Sequence, residues 1–383
     1  MAVSRRTVIL AGAGGLALVG AGAWWRVSRV PETATAPWDL AGPPPADVRL
    51  DAFRHAILAP SAHNLQPWRI RLDGEDSATL YCDLDQRLPE ADPFDRQLTI
   101  GFGCFLELAR MAAAARGVAM EIVPFPEGTP PGGREGGLDA RPVAQLTFAP
   151  RAGLPPDPLF AHVAARRSNK AAYDLSRPVD RRELRQLTAN GLDWRVRGTT
   201  TPRFVEPIRD LVLEALAIEL GTPRVHRETV GLMRIGAREV DASPDGIALT
   251  GPAVEAAAAV GLMTREALAE PGSAMFETGA RQLRASHAAT PAFLWVVTDR
   301  NDRESQLRAG RVYVRANLAA TSLGLAMHPV SQALQEYPEV ADVHARLHAL
   351  LVPEGGHVQM LARVGYGPEV PPSPRHPLEA KLV

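Results

Sequence analysis

Pro60-Ser61-Ala62-His63-Asn64-Leu65-Gln66-Pro67-Trp68 is a turn carrying short amide and hydroxyl side chains between two prolines. Such a turn can hydrogen-bond the edge of a planar polar heterocycle without covering its face. About a hundred residues later, Arg166-Arg167-Ser168-Asn169-Lys170 offers two guanidinium forks, a hydroxyl and one ammonium. These groups suit a phosphate dianion and the electron-rich edge of a reduced ring. The chain meets nearly every call for a cation with arginine, and its only lysines are Lys170 and Lys381. A compact point charge kept inside an arginine-rich motif marks a place where a fork would not fit.

The rest of the composition narrows the class. With 383 residues the chain is comfortable for two domains and can bury a large core. Lys+Arg 42 against Asp+Glu 43 gives a net charge of -1, unlike the markedly basic balance of proteins that track nucleic acid. No nucleic-acid partner is expected. Cys82 and Cys104 lack CxxC spacing and read as small buried hydrophobes, with one disulfide the lesser alternative. No histidine pair has metal-ligand spacing, so no metal is expected.

Ser4-Arg5-Arg6-Thr7-Val8-Ile9-Leu10 leads into an apolar, Gly/Ala-rich run that ends near Ala21-Gly22-Ala23. Paired arginines before a mildly hydrophobic stretch resemble a twin-arginine export signal over residues 1–29; an ordinary secretion signal or a membrane anchor is the other reading. The expected location is the periplasm or cell envelope. Residues 30–45, rich in Pro, Ala and Thr, read as a flexible linker.

Two structural units are expected beyond it. In residues 46–150, helix 46–58 precedes the proline turn, and strands 68–72 and 79–83 form a hairpin. A helix over 96–116 is apolar on several sides, as in a central buried helix. Strands at 120–123 and 143–148 flank a Gly/Pro-rich stretch, 124–137, that reads as an insertion or as disorder. In residues 151–383, helices are expected at 159–167, 181–187, 204–220 and 303–325, with strands at 292–298 and 358–365. Residues 222–271 read as irregular with one alanine-rich helix. Each unit has strand, long alanine-rich helix, strand, which is the one hint of internal repetition.

The turn resembles the P-S-x-x-N-x-Q-P-W segment of the nitroreductase family, and Arg166–Lys170 resembles that family's R-x-S-x-[RK] start. Leu323-Gly324-Leu325-Ala326-Met327-His328-Pro329-Val330-Ser331 resembles its helix-to-loop segment, and Pro374-Arg375-His376-Pro377-Leu378 its P-R-x-P-L tail. The motif order is unusual, because the turn precedes the arginines by about a hundred residues, the first half lacking an arginine motif and the second a proline turn. This resembles the Acg-like branch: an α+β, nitroreductase-like fold made of two degenerate subunit-like halves fused around one flavin, with 222–271 as a candidate lid.

The resemblance implies FMN as cofactor and no dedicated catalytic acid or base. Arg166, Arg167, Ser168 and Arg375 would hold its phosphate, and Lys170 the N1–O2 edge. Pro60, Ser61, Asn64 and Gln66 would meet the ribityl chain and pyrimidine. Pro329, Val330 and Ser331 would present a backbone N–H to N5, although Ser331-Gln332 stands where relatives often carry Glu-Gly. His63 and His328 lie beside these segments. The implied activity is oxidoreduction from NAD(P)H through the flavin to a nitro-aromatic, quinone or similar planar acceptor; a lid-closed flavin store is the alternative. The other expected partner is the twin-arginine export machinery, with a monomer among the expected states.

Overall fold

The computed structural model describes residues 30–130, 136–189 and 195–383. The export signal read at 1–29 and the middle of the 124–137 stretch lie outside these residues. The helices are α1 (Glu32–Thr35), α2 (Val48–Ala56), α3 (Arg96–Ala115), α4 (Arg181–Thr188), α5 (Pro202–Gly221), α6 (Pro223–Gly231), α7 (Gly236–Ala242), α8 (Pro252–Ala259), α9 (Arg265–Ala269), α10 (Ala274–Ala288), α11 (Arg303–Ser322) and α12 (Ala341–Leu351).

Two four-stranded antiparallel sheets carry the fold, and they share one topology. The first contains β1 (Trp68–Asp73), β2 (Ser77–Cys82), β3 (Val118–Pro124) and β4 (Ala144–Pro150) in the order β1-β2-β4-β3. The second contains β5 (Arg195–Thr199), β8 (Ala292–Thr298), β9 (Ala326–Pro329) and β10 (His357–Gly365) in the order β5-β8-β10-β9. Each sheet sends its long helix, α3 or α11, between its second and third strands. The strand-helix-strand hint of repetition therefore corresponds to a repeated layout. Between β5 and β8 the second half carries α5 to α10 and a parallel pair, β6 (Met233–Ile235) with β7 (Ile247–Leu249).

The long helices cross at two glycines. A Cβ on Gly103 would lie 1.9 Å from Leu307 O, and a Cβ on Gly310 would lie 1.9 Å from Ile100 O. Each glycine thus faces the carbonyl three residues before its counterpart, the reciprocity expected of a pseudo-two-fold axis. Only a residue without a Cβ lets two helix backbones meet so closely. Cys104 Sγ sits 3.2 Å from Gly310 O at the same crossing, and both cysteines are free and buried, so no disulfide joins them.

A continuous core runs through both halves, from Phe53, Trp68 and Phe105 to Phe293, Tyr313 and Leu361. Strand β8 is buried along its whole length and β1 alternates, which explains why one reads as an apolar run and the other as a period-two pattern. Helix α3 is long and apolar enough to cross a membrane, but it is almost entirely buried within the protein.

Several expectations need correction. Residues 30–45 are not simply a flexible lead: α1 and a 3-10 turn at Ala36–Trp38 occupy them, with Ala34 and Trp38 buried. The helix expected at 159–167 is a 3-10 turn over Pro158–His162, initiated by Asp157 accepting from Leu159 N. Residues 222–271 hold α6 to α9 and the β6–β7 pair in place of irregular chain. Short helices that begin at Pro223 and Pro252, with Gly236 and Gly251 at positive φ, break the periodicity that would reveal them.

Candidate functional site

The proline turn leaves α2 through Leu58 and Ala59 and doubles back into β1. His63, Asn64 and Gln66 hold φ of 46°, 59° and 52°, left-handed backbone at three non-glycine positions. Such strain persists where the surroundings over-determine it. Here Gln66 N donates to Ser61 Oγ at 3.1 Å, and Lys381 Nζ donates to Gln66 O at 2.8 Å.

The amides of this turn face the protein, which differs from their expected role. Gln66 is fully buried; its Nε2 donates to Pro244 O and Asn64 O, and its Oε1 accepts from His376 N. Asn64 Nδ2 donates to Pro374 O, while its Oδ1 accepts from Arg375. Asn64 and Gln66 therefore bind the turn to the tail and to residues 244–246, where Gly246 N also donates to Asn64 O. Among the polar turn residues expected at the ligand, Ser61 retains a hydroxyl proton to offer.

The arginines converge on this turn. Arg166 Nη2 and Arg375 Nη2 both donate to Leu58 O, at 2.9 and 3.2 Å, and Arg375 Nη2 also reaches Ala59 O. Arg166 Nη1 donates to Asn317 Oδ1 on α11, and Arg167 Nη1 to Ala164 O and Arg166 O. Arg166 and Arg375 are 1% and 2% exposed, and Arg167 is half-buried. None of the three forms an ion pair with a carboxylate among the described residues. Among the described residues, each also keeps a buried Nε–H without an acceptor.

Two buried guanidiniums and a half-buried third, none in ion-pair contact with a carboxylate among the described residues, are costly. Burial lowers the pKa of Arg166 to about 10, and burial again lowers that of Arg167. Arg375 is held well below the guanidinium range by burial, then by the charges of Arg166 and Arg167. An oxyanion accepting from these Nε–H groups would offset that cost. A single indole, Trp38, lies against the set, with Arg167, Arg375 and Arg166 Cζ at 4.7, 5.2 and 5.5 Å from its ring centroid.

Lys170 follows the arginines in the same motif; its residue is accessible, yet the protein packed around it depresses its ammonium. Burial, then the Lys170 charge, drops His63 to about 4. His328 is pushed well below its ordinary value by burial, Arg363, His287 and Lys170. Lys170 thus sits between the turn and the segment following α11. Both rings are neutral at pH 7, and His328 Nδ1 accepts from Arg363 Nε at 3.1 Å. Neither is a ready proton carrier.

That segment joins the arginine motif through Asn169 N, which donates to Met327 O at 3.0 Å. Val330 is buried and its N–H is spent on Leu361 O. Pro329 has no N–H, so the donor expected from Pro329–Ser331 falls to Ser331. Pro60 and Ser61 rest on α3 beside Gly101, and Ser168 is half-buried within the arginine motif. The open clefts of about 340 Å³ beside Gln335 and His344 and about 350 Å³ beside Tyr173 and Tyr366 do not include the arginines, which Trp38 covers.

Glu219 on α5 has no motif around it and escaped the sequence reading. Burial raises its carboxyl to about 7, while bonds from Gln335 and Gln332 lower it. Its folded pKa exceeds the ordinary carboxylate value, so its contribution to stability is full below about pH 4.5 and lost as pH rises through about 7. Glu219→Gln is therefore expected to match the wild type at pH 4.5 and exceed it by up to about 3 kcal/mol at pH 8. Denaturant melts across that range check it; a difference independent of pH would refute the assignment.

No family model matches the chain. Among solved structures, one described as a "putative nitroreductase" from Anabaena variabilis aligns over 88% of this chain and 91% of its own, at 14% identity and a TM-score of 0.40. The chain is 35% identical over 85 residues, 22% of its length and 25% of the relative's, to "Putative NAD(P)H nitroreductase acg" of Mycobacterium tuberculosis (strain ATCC 25618 / H37Rv). It is 28% identical over 354 residues, 88% of this chain and 91% of the relative, to "Putative NAD(P)H nitroreductase Rv3131" of the same strain. That similarity runs through both halves and supports the nitroreductase resemblance drawn from the four motifs.

Proposed function

We propose that this chain is an FMN-dependent oxidoreductase of the nitroreductase type. The observation that carries the reading is the set of buried, unpaired Nε–H groups on Arg166, Arg167 and Arg375, which fits a phosphate monoester. When bound, FMN supplies hydride transfer between a reduced nicotinamide and a nitro-aromatic, quinone or similar planar acceptor.

The chain's own residues bind and bias that cofactor. The three guanidiniums hold the phosphate, with the Ser168 hydroxyl beside them. Lys170 would supply a positive charge to the flavin's electron-rich edge, which would favour the reduced, anionic ring. Ser61 would bond the flavin's polar edge from the first half, and Ser331 would offer its backbone N–H to the ring. Residues 222–271 exclude water as a lid, since Pro244 O and Gly246 N already grip the turn. The same closed contacts favour a second reading, a flavin store with little turnover. The Arg5-Arg6 leader supports export of the folded, flavin-loaded protein through the twin-arginine route to the periplasm or cell envelope.

The purified protein is expected to show a flavin visible spectrum that bleaches on anaerobic addition of NADPH. Bound flavin that fails to bleach would replace the enzyme with the store, and a colourless protein that FMN does not reconstitute would end both readings. Lys170→Met is expected to keep FMN bound while lowering its reduction potential and slowing bleaching.

A further inference from the structure

We propose that Trp38, on a strap N-terminal to both pseudo-subunits, is a positioning residue of the phosphate site and gives it selectivity for phosphorylated flavin. The inference rests on the FMN reading above. The strap is pinned over the arginines. Arg375 N donates to Ala34 O at 2.7 Å, Ala34 N to Asp241 Oδ1 at 2.8 Å, and Trp38 Nε1 to Ser373 O at 2.7 Å.

The chemistry of the indole explains why it suits this place. A guanidinium can stack its face on an aromatic ring while its in-plane N–H groups bind an oxyanion. Trp38 is 8% exposed and touches all three guanidiniums, yet it leaves each Nε–H without an acceptor. A carboxylate there would neutralise the arginines and compete with the ligand. The π face instead steadies their charges and excludes water without occupying their edges. The favoured ligand class is a phosphate monoester dianion. Riboflavin, which has the ring and no phosphate, should gain nothing from the strap.

The test is titration of flavin-free full-length chain with FMN and with riboflavin, followed by flavin fluorescence, for wild type, Trp38→Leu, Trp38→Phe and Arg167→Ala. Trp38→Leu stays apolar while removing the π face, and is expected to weaken FMN about tenfold with riboflavin unchanged, and Trp38→Phe, which returns a ring, to restore most of the loss. Equal weakening of both flavins would reduce Trp38 to a structural role, and unchanged or tighter FMN binding in Trp38→Leu would also overturn the proposal. FMN binding that depends on Arg167 and not on Trp38 removes this inference alone. A wild-type chain that binds neither flavin removes it together with the FMN reading.

Discussion

Alanine at Gly103 or at Gly310 is expected to destabilise the fold strongly. The added methyl would sit 1.9 Å from a carbonyl oxygen of the opposing helix, and the obstacle is backbone. Relief requires α3 and α11 to separate, which opens the core along its length. A penalty of about 3 kcal/mol or more is expected, seen as a Tm lower by at least ~5 °C or as insoluble protein. Gly101→Ala is the control, because its Cβ would meet Ser61 at an ordinary 3.5 Å. That variant should melt within about 1 °C of wild type. Equal Tm values for all three variants would refute the crossing geometry.

The second large effect concerns binding. Arg167→Ala is expected to weaken FMN by about 10- to 100-fold, the worth of a charge-assisted hydrogen bond to phosphate. The Tm of the flavin-free protein should barely change, since Arg167 Nη1 bonds only carbonyls of its own segment, Ala164 O and Arg166 O. Arg375→Met should weaken FMN at least as much and also destabilise the flavin-free chain, because it strands Ala59 O and Asn64 Oδ1. Isothermal titration with FMN and melts without it separate the two patterns. Arg167→Ala protein that binds FMN like wild type would dissolve the phosphate assignment.

Much of this architecture was legible because each element carried a local signal. The long apolar α3, the continuous run of β8 and the alternating hairpin β1–β2 each obey one periodicity over enough residues to be read. The arginine motif, proline turn and tail were legible as residue types, and they do converge. What escaped depends on long-range packing. Asn64 and Gln66 carry amides suited to a ligand, and only the tail and residues 244–246 show why those amides turn inward. Trp38 sits in a Pro/Ala/Thr-rich stretch whose composition suggests mobility, and its burial comes from arginines far along the chain. The scarcity of lysine was a better guide than its positions suggested. Lys381 joins the turn through Gln66 O, and Lys170 biases His63 within it.

The reciprocal glycine crossing has a consequence for assembly. Where two walls of a binding site belong to separate polypeptides, dilution pulls them apart, and cofactor retention falls with protein concentration. Here a continuous backbone tethers α3 to α11, so pairing is an intramolecular closure whose entropic penalty grows only logarithmically with the intervening length. Occupancy of such a site is independent of how many copies the surrounding compartment holds.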